Sequence, residues 1–354
     1  MSDANLADRR TVLKAIPAAM VGGGAIAYTA GAKRDDEHGR GRGRSNVVEI
    51  VAEHGHEEGD HEFTLSTDEL PAGWVTFEFD NTTGGTHFAY LAKLPQAAID
   101  EAQAAEVSLL DHYVERVTRP FQWLMDDIDP DKEPDPDDRF SEETLFPEWF
   151  GKVLPSGGPG FTSGSRTSTT TVQLDPGEYI VECYVKNGDG EFHSYRGMVE
   201  QFTVTDDRLN ARPGAAQSVS VSTDGIQAPD SMRPGQQTVA VEIQDQQLYD
   251  HDLGHDVHLI RLDEDTTTDD VNGWMNWMGP DQLVSDGSEP GTFVGGVQAI
   301  LTPALLEGEG SETAYLHLDL TPGKYAWVSE VPAPADTGHL VEFSVPFGGG
   351  GEGS

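Results

Sequence analysis

The stretch Leu174–Val185 reads LDPGEYIVECYV, and Leu320–Val331 reads LTPGKYAWVSEV, matching it without a gap. In both, a Pro-Gly turn signal feeds a run of aromatic and β-branched residues, which is how a strand following a tight turn is written. Alternation in the first copy puts Tyr179, Val181, Cys183 and Val185 on one face and Ile180, Glu182 and Tyr184 on the other. Meeting the same strand twice implies that one folding plan is built twice along the chain.

The neighbouring segments extend the repeat. LPAGWVTFEF from Leu70 parallels MRPGQQTVAVEI from Met232, THFAYLAKL around His87 parallels VHLIRL around His258, and GMVEQFTV from Gly197 parallels GHLVEFSV from Gly338. Short alternating or apolar runs separated by Gly, Pro, Asn and Asp predict an all-β protein of two tandem β-sandwiches. The first domain is placed at 47–206 and the second at 218–347. The linker, 207–217, is marked by Arg212-Pro213-Gly214, and a disordered glycine-rich tail is expected at 348–354. One segment breaks the texture. From Pro95 to Arg119, Ile99, Ala102, Val107, Leu110, Tyr113, Val114 and Val117 recur at roughly helical spacing, predicting a helix inserted between two strands. Trp123 and Met125, just beyond it, are expected to cover the sandwich.

Charge narrows the classes of function. The 354 residues carry 62 acidic against 22 basic side chains, a formal net charge of -40. Nucleic-acid binding needs basic patches, so no nucleic-acid partner is expected. Self-repulsion of that size strains a compact fold at low salt, whereas in molar salt the Debye length falls to about 3 Å. The sequence therefore predicts a salt-adapted surface, and the acidic run Asp126–Asp138 is read as part of it rather than as a calcium loop. Residues 1–32 read as an export signal, because Arg9-Arg10 within DRRTVLK resembles the twin-arginine motif and a short, glycine-rich apolar stretch follows. Residues 33–46 read as a flexible tether. The mature chain is expected to be extracellular or envelope-associated, without a transmembrane domain.

A single cysteine in an exported chain cannot close an internal disulfide, so Cys183 is buried and inert, paired between chains, or ligated. On its strand it points with apolar residues, as an inert core thiol would. His193 and Met198 in the following loop supply the other reading. A thiolate, two imidazoles and a weak axial thioether make an electron-transfer copper site, and His87, after Asn81 on a neighbouring strand, can supply the second imidazole.

These residues, PGEYIVEC followed by His, four residues, Met and a closing strand, resemble the cupredoxins, and within them plastocyanin-like blue-copper proteins such as halocyanins. The resemblance spans about Asn46 to Thr205 and, in degraded form, the second domain. It implies Greek-key sandwiches, with His87, Cys183, His193 and Met198 as ligands of one type 1 copper, and one-electron transfer with a redox partner protein. An imidazole edge near the surface would be the way in for the electron. Two features depart from the family: the helical insertion, and nine residues between Cys183 and His193. Asn187-Gly188 is a preferred pair for a two-residue turn, so a small hairpin at Lys186–Gly190 is expected to fold out and return His193 to the site.

In the second domain Ser329 replaces Cys183, His339 aligns with Met198, and His258 is read as the match to a ligand position. A structural sandwich without copper is expected there, the alternative being a histidine-only site with His255 and His251. HGHEEGDH, from His54 to His61, reads as a solvent-exposed hairpin, with metal binding as the alternative. Multicopper oxidases also repeat this fold, but the cluster they carry takes several His-x-His pairs and this chain has only His54-Gly55-His56, so no enzyme is expected. Two rival functions stay open: a non-redox surface or binding module, and copper storage or delivery.

Overall fold

A computed structural model describes residues 47–55, 61–128, 145–209, 211–249, 254–277, 279, 281–285 and 287–347. The export signal, the tether, the tail, His56, His251 and most of the acidic run lie outside the described residues. Among the described residues, no helix is long and apolar enough to cross a membrane.

The chain is all-β. The first half contributes β1 (Val47–His54), β2 (His61–Leu65), β3 (Glu69–Asn81), β4 (Tyr90–Lys93), β5 (Leu154–Pro155), β6 (Arg166–Leu174), β7 (Gly177–Glu182) and β8 (Val199–Leu209). The second contributes β9 (Gln217–Ser222), β10 (Gly225–Gln227), β11 (Gly235–Ile243), β12 (Val257–Leu262), β13 (Gly291–Val297), β14 (Glu312–Leu320), β15 (Gly323–Val328) and β16 (Leu340–Val345). Alternation does what it should: along β3, Val75, Phe77 and Phe79 are buried while Glu78 faces solvent. Burying a side chain of that kind is worth about 1.5–3 kcal/mol, which pins the register.

The two halves are less separate than the repeat suggested. One sheet runs β10-β9-β11-β14-β6-β3-β8-β7-β4-β5, with β1 joined to β3 and β2 to β1, while β13-β12-β15-β16 form a second sheet. The continuity comes from β14 pairing with β6, Tyr315 opposite Thr171 and His317 opposite Thr169. A second seam lies where 155–160 and 296–301 exchange backbone bonds, Gly157 N to Ala299 O at 2.9 Å and Gly160 N to Gly296 O at 3.0 Å among them. The strand β8 also continues to Leu209, into the residues read as linker, because its end pairs with Ala72 and Gly73 of β3.

The insertion is helical but broken. It comprises α1 (Gln96–Ala105), α2 (Leu109–Tyr113), a π turn at Val114–Thr118, and α3 (Arg119–Ile128). Glu106 takes a left-handed φ of 57° and its N–H caps α1, after which Ser108 restarts the helix by accepting from Asp111 N at 3.0 Å. Val107, read as part of the apolar stripe, falls in that break and is 46% exposed. Ala98, Ala102, Tyr113, Val117 and Met125 are buried against the sandwich.

Candidate metal centre

Cys183 follows the last residue of β7 and is fully buried, as alternation required. Its Sγ lies 3.8 Å from His87 Nδ1 and 3.7 Å from His193 Nδ1. Those two separations test the donor set against a metal. An ion about 2.3 Å from a thiolate and about 2.0 Å from each imidazole, at trigonal angles, puts sulfur and nitrogen about 3.7 Å apart. The three donors present that spacing without rearrangement, in the Cys-His-His set that suits copper.

Each donor is aimed by a different part of the chain. His87 precedes β4, and its Nε2 is held by Thr83 Oγ1 at 2.8 Å, which turns Nδ1 toward the sulfur. Thr83 is fixed in turn by Asn81 Oδ1, which accepts from Thr83 N at 3.1 Å and from its hydroxyl at 2.8 Å. The amide of Asn81 donates at 2.8 Å to the carbonyls of Gly85 and Thr162, closing the network.

His193 returns by a folded-out hairpin, with Lys186 bridged to Phe192 and His193 N donating to Val185 O at 2.8 Å. The turn chemistry differs from the expected pair. Asn187 Oδ1 accepts from Asp189 N and Glu191 N, both at 3.0 Å, and the positive φ of 79° falls on Gly190, not on Gly188. The asparagine closes the loop with its side chain, an Asx-type cap, rather than by adopting a left-handed backbone.

Met198 is fully buried; its carbonyl accepts from Cys183 N at 3.2 Å and its N–H donates to His193 O at 2.8 Å. The backbone thereby sets Met198 beside the cysteine strand.

Burial sets the protonation states. It pushes the Cys183 thiol up to about 12, against the pull of the Phe88 and Val185 N–H groups. Burial, then neighbouring imidazoles, holds His87 and His193 well below their usual range. Both imidazoles are therefore neutral with lone pairs available, while the thiol must lose its proton when a metal binds.

Neither His87 nor His193 supplies the surface edge that was expected, since each is 1% exposed. The outward position belongs to His61, a residue read as lying in solvent. Its ring stacks on His193 with centroids 4.1 Å apart and meets His87 edge-on at 5.3 Å. The donor nitrogens of His61, His87 and His193 all lie within 4.8 Å of one another.

The second half shows the same frame with its donors diverted. Tyr90 pairs with Glu182, one residue before Cys183, and His258 pairs with Val328, one residue before Ser329. The counterpart of His87 is therefore His255, not His258. Ser329 N donates to His339 O and His339 N to Pro334 O, so Pro334 stands where His193 does. The two remaining imidazoles stack at 4.9 Å, and all four nitrogens are engaged. His255 meets Tyr249 Oη and Asp245 O, and His339 meets Ser222 O and Thr337 Oγ1. His258 instead bonds Asp256 at 2.8 Å and accepts from Phe161 N at 3.2 Å across the seam.

No protein-family model matches the chain, and no curated protein matches it. Among solved structures it is similar to the dithionite-reduced auracyanin of the photosynthetic bacterium Roseiflexus castenholzii, at 16% identity over 38% of this chain and 100% of that one, with a TM-score of 0.25. It is also similar to a multicopper oxidase, at 10% identity over 84% of this chain and 87% of that one, TM-score 0.21. A third is the Cu-containing nitrite reductase of Thermus scotoductus, at 12% identity over 84% of this chain and 61% of that one, TM-score 0.20. The last two are enzymes, and so are other copper oxidases that match, which overturns the expectation that such a chain is not one.

Proposed function

We propose that the first half binds one copper ion through Cys183, His87 and His193, with Met198 as the weak axial ligand, and that the protein transfers single electrons to or from a redox partner protein. The observation that carries this reading is the pair of Sγ–Nδ1 separations, 3.8 and 3.7 Å, in a site closed to water. Copper held there would supply a one-electron Cu(II)/Cu(I) couple, which thiolate, imidazole and thioether together accommodate.

The protein's own residues do the rest. Asn81 and Thr83 hold the His87 ring, the Asn187 turn returns His193, and burial keeps both imidazoles neutral. The backbone and side-chain bonds that fix the donors do not involve a metal, so they would hold His87 and His193 in place for either oxidation state. Export by the twin-arginine route, in the folded and loaded state, belongs to the same reading, as does a division into two domains, the first carried by β8 to Leu209 and the second opening with β9 at Gln217.

The test is optical. Cu(II) added to the folded protein should produce an intense thiolate-to-copper band in the visible, absent in Cys183→Ser, and voltammetry should show reversible reduction. A colourless wild type that binds no more copper than Cys183→Ser would end the electron-transfer reading.

A further inference from the structure

The four proposed ligands are sealed, with His87 and His193 at 1% exposure and Cys183 and Met198 at 0%. An ion must therefore pass a side chain to reach them. The hairpin of β1 and β2 supplies two imidazoles in line with that passage. His54 and His61 are direct cross-strand partners, their rings 5.9 Å apart; His54 is exposed and His61 half-buried. Directly opposed residues on an antiparallel pair point their side chains the same way, a disposition suited to shared chelation.

The hairpin end is built onto the ligand loop. His61 N donates to Arg196 O at 3.1 Å, and Gly197, at φ 108°, comes so close that a Cβ there would stand 2.8 Å from the His61 carbonyl oxygen. That close approach holds His61 flat on His193, 4.1 Å away at 23° between planes.

The stacking also defines what His61 can do. Imidazole lone pairs lie in the ring plane, so two rings stacked face to face cannot aim their donors at one ion. His61 can share a metal with His193 only after its ring turns, which suits it to pass an ion on rather than to keep one beside His193. We infer that His54 and His61 form a surface copper-docking pair that hands the ion inward by ligand exchange, an inference that rests on the copper reading of the centre. Bonds to His54 and His61 are exchanged for bonds to His193, His87 and Cys183. The oxidation state does not change, and the thiol proton leaves to solvent.

The test is stopped-flow loading of the metal-free full chain with Cu(II), followed at the thiolate–copper band. His61→Phe keeps a ring over His193 but removes the donor. It should slow loading about tenfold or more, the scale on which losing a metal-orienting group acts, and reach the final spectrum of wild type. Unchanged loading rates in both His61→Phe and His54→Gln would overturn the proposal, as would an altered final spectrum, which would make His61 a resident ligand. Cys183→Ser, with the inner site disabled, separates this inference from the one beneath it. Zn(II) or Cu(I) titrated into that chain should shift the His54 and His61 imidazole resonances, and His61→Phe should abolish the shift. A missing band in wild type would remove the inner acceptor and the electron-transfer reading, while absent shifts in Cys183→Ser would remove the docking pair alone.

Discussion

Asn81 never touches the sulfur, yet it decides where His87 points. It receives the Thr83 hydroxyl that holds His87 Nε2, and it donates to two carbonyls that the site needs satisfied. Replacing it by alanine should remove the acceptor of the Thr83 hydroxyl and one of the donors to each carbonyl, and let the imidazole turn. Copper affinity is then expected to fall about 10–100-fold, with about 1–3 kcal/mol lost from the fold. Competition against a copper chelator and chemical denaturation measure the two effects separately. The matching strand of the second half, β15, leads into the opposite kind of residue. Ser329 fills the place of Cys183 and uses its hydroxyl to bond Asp256 at 2.8 Å, so a strand without a thiol is fully satisfied. The architecture thus does not require a thiol at that position, which is what the copper proposal for Cys183 expects.

Two elements bring the site its shape from outside. The inserted helices dock through Tyr113, whose hydroxyl donates at 2.7 Å to Glu182, a carboxyl that burial pushes from 4.5 up to about 7. The folded state thus holds a proton that the unfolded chain has already released between those two values. Stability of the metal-free protein should accordingly fall as pH rises from about 4.5 to about 7 and then level off. The full difference is of order 3 kcal/mol. Glu182→Gln keeps an acceptor for Tyr113 and should flatten that part of the profile, as thermal unfolding across pH would show. The ligand hairpin depends on one side chain in a different way. Asn187→Ala removes the acceptor for two N–H groups and should free the turn, at a cost of about 1–3 kcal/mol. The amides of Asp189 and Glu191 should then lose exchange protection, while those of β7 keep theirs.

At the scale of the molecule, the two halves share a sheet and bury polar groups against each other. Tyr184, next to Cys183, donates at 3.2 Å to Glu330, its own counterpart in the repeat; burial and then Asp256 hold that carboxyl well above the usual range. Lys186 is fully buried, with its ammonium on the carbonyls of Trp277 and Gly279. Such a seam should make both halves unfold together, giving one calorimetric transition instead of two. The charge of -40 acts on the same scale. Molar KCl should raise the Tm by roughly 10 °C or more over 0.1 M, since the repulsion it screens is spread over the whole surface. A Tm independent of salt would contradict the expected salt adaptation.

The all-β class, the doubled plan and the inward face of Cys183 were legible in the residues, because alternation with period two and Pro-Gly turns are local signals. His87, Cys183, His193 and Met198 could be singled out from type and spacing, although their meeting depends on pairing across the fold. Tertiary structure decided what no spacing rule contains. Strand register moved the counterpart of His87 from His258, which bonds across the seam to Phe161, to His255, which meets Tyr249 and His339 of its own half. Parallel pairing of β1 with β3 set the β1–β2 pair, with His54 opposite His61, beside the loop that carries His193, so that His61 lies on His193. Continuity of β6 with β14 joined a sheet of the first half to one of the second, beside the separate sheet β13-β12-β15-β16. Local sequence sets which face of each strand is apolar; only packing decides which strand end lies over which loop.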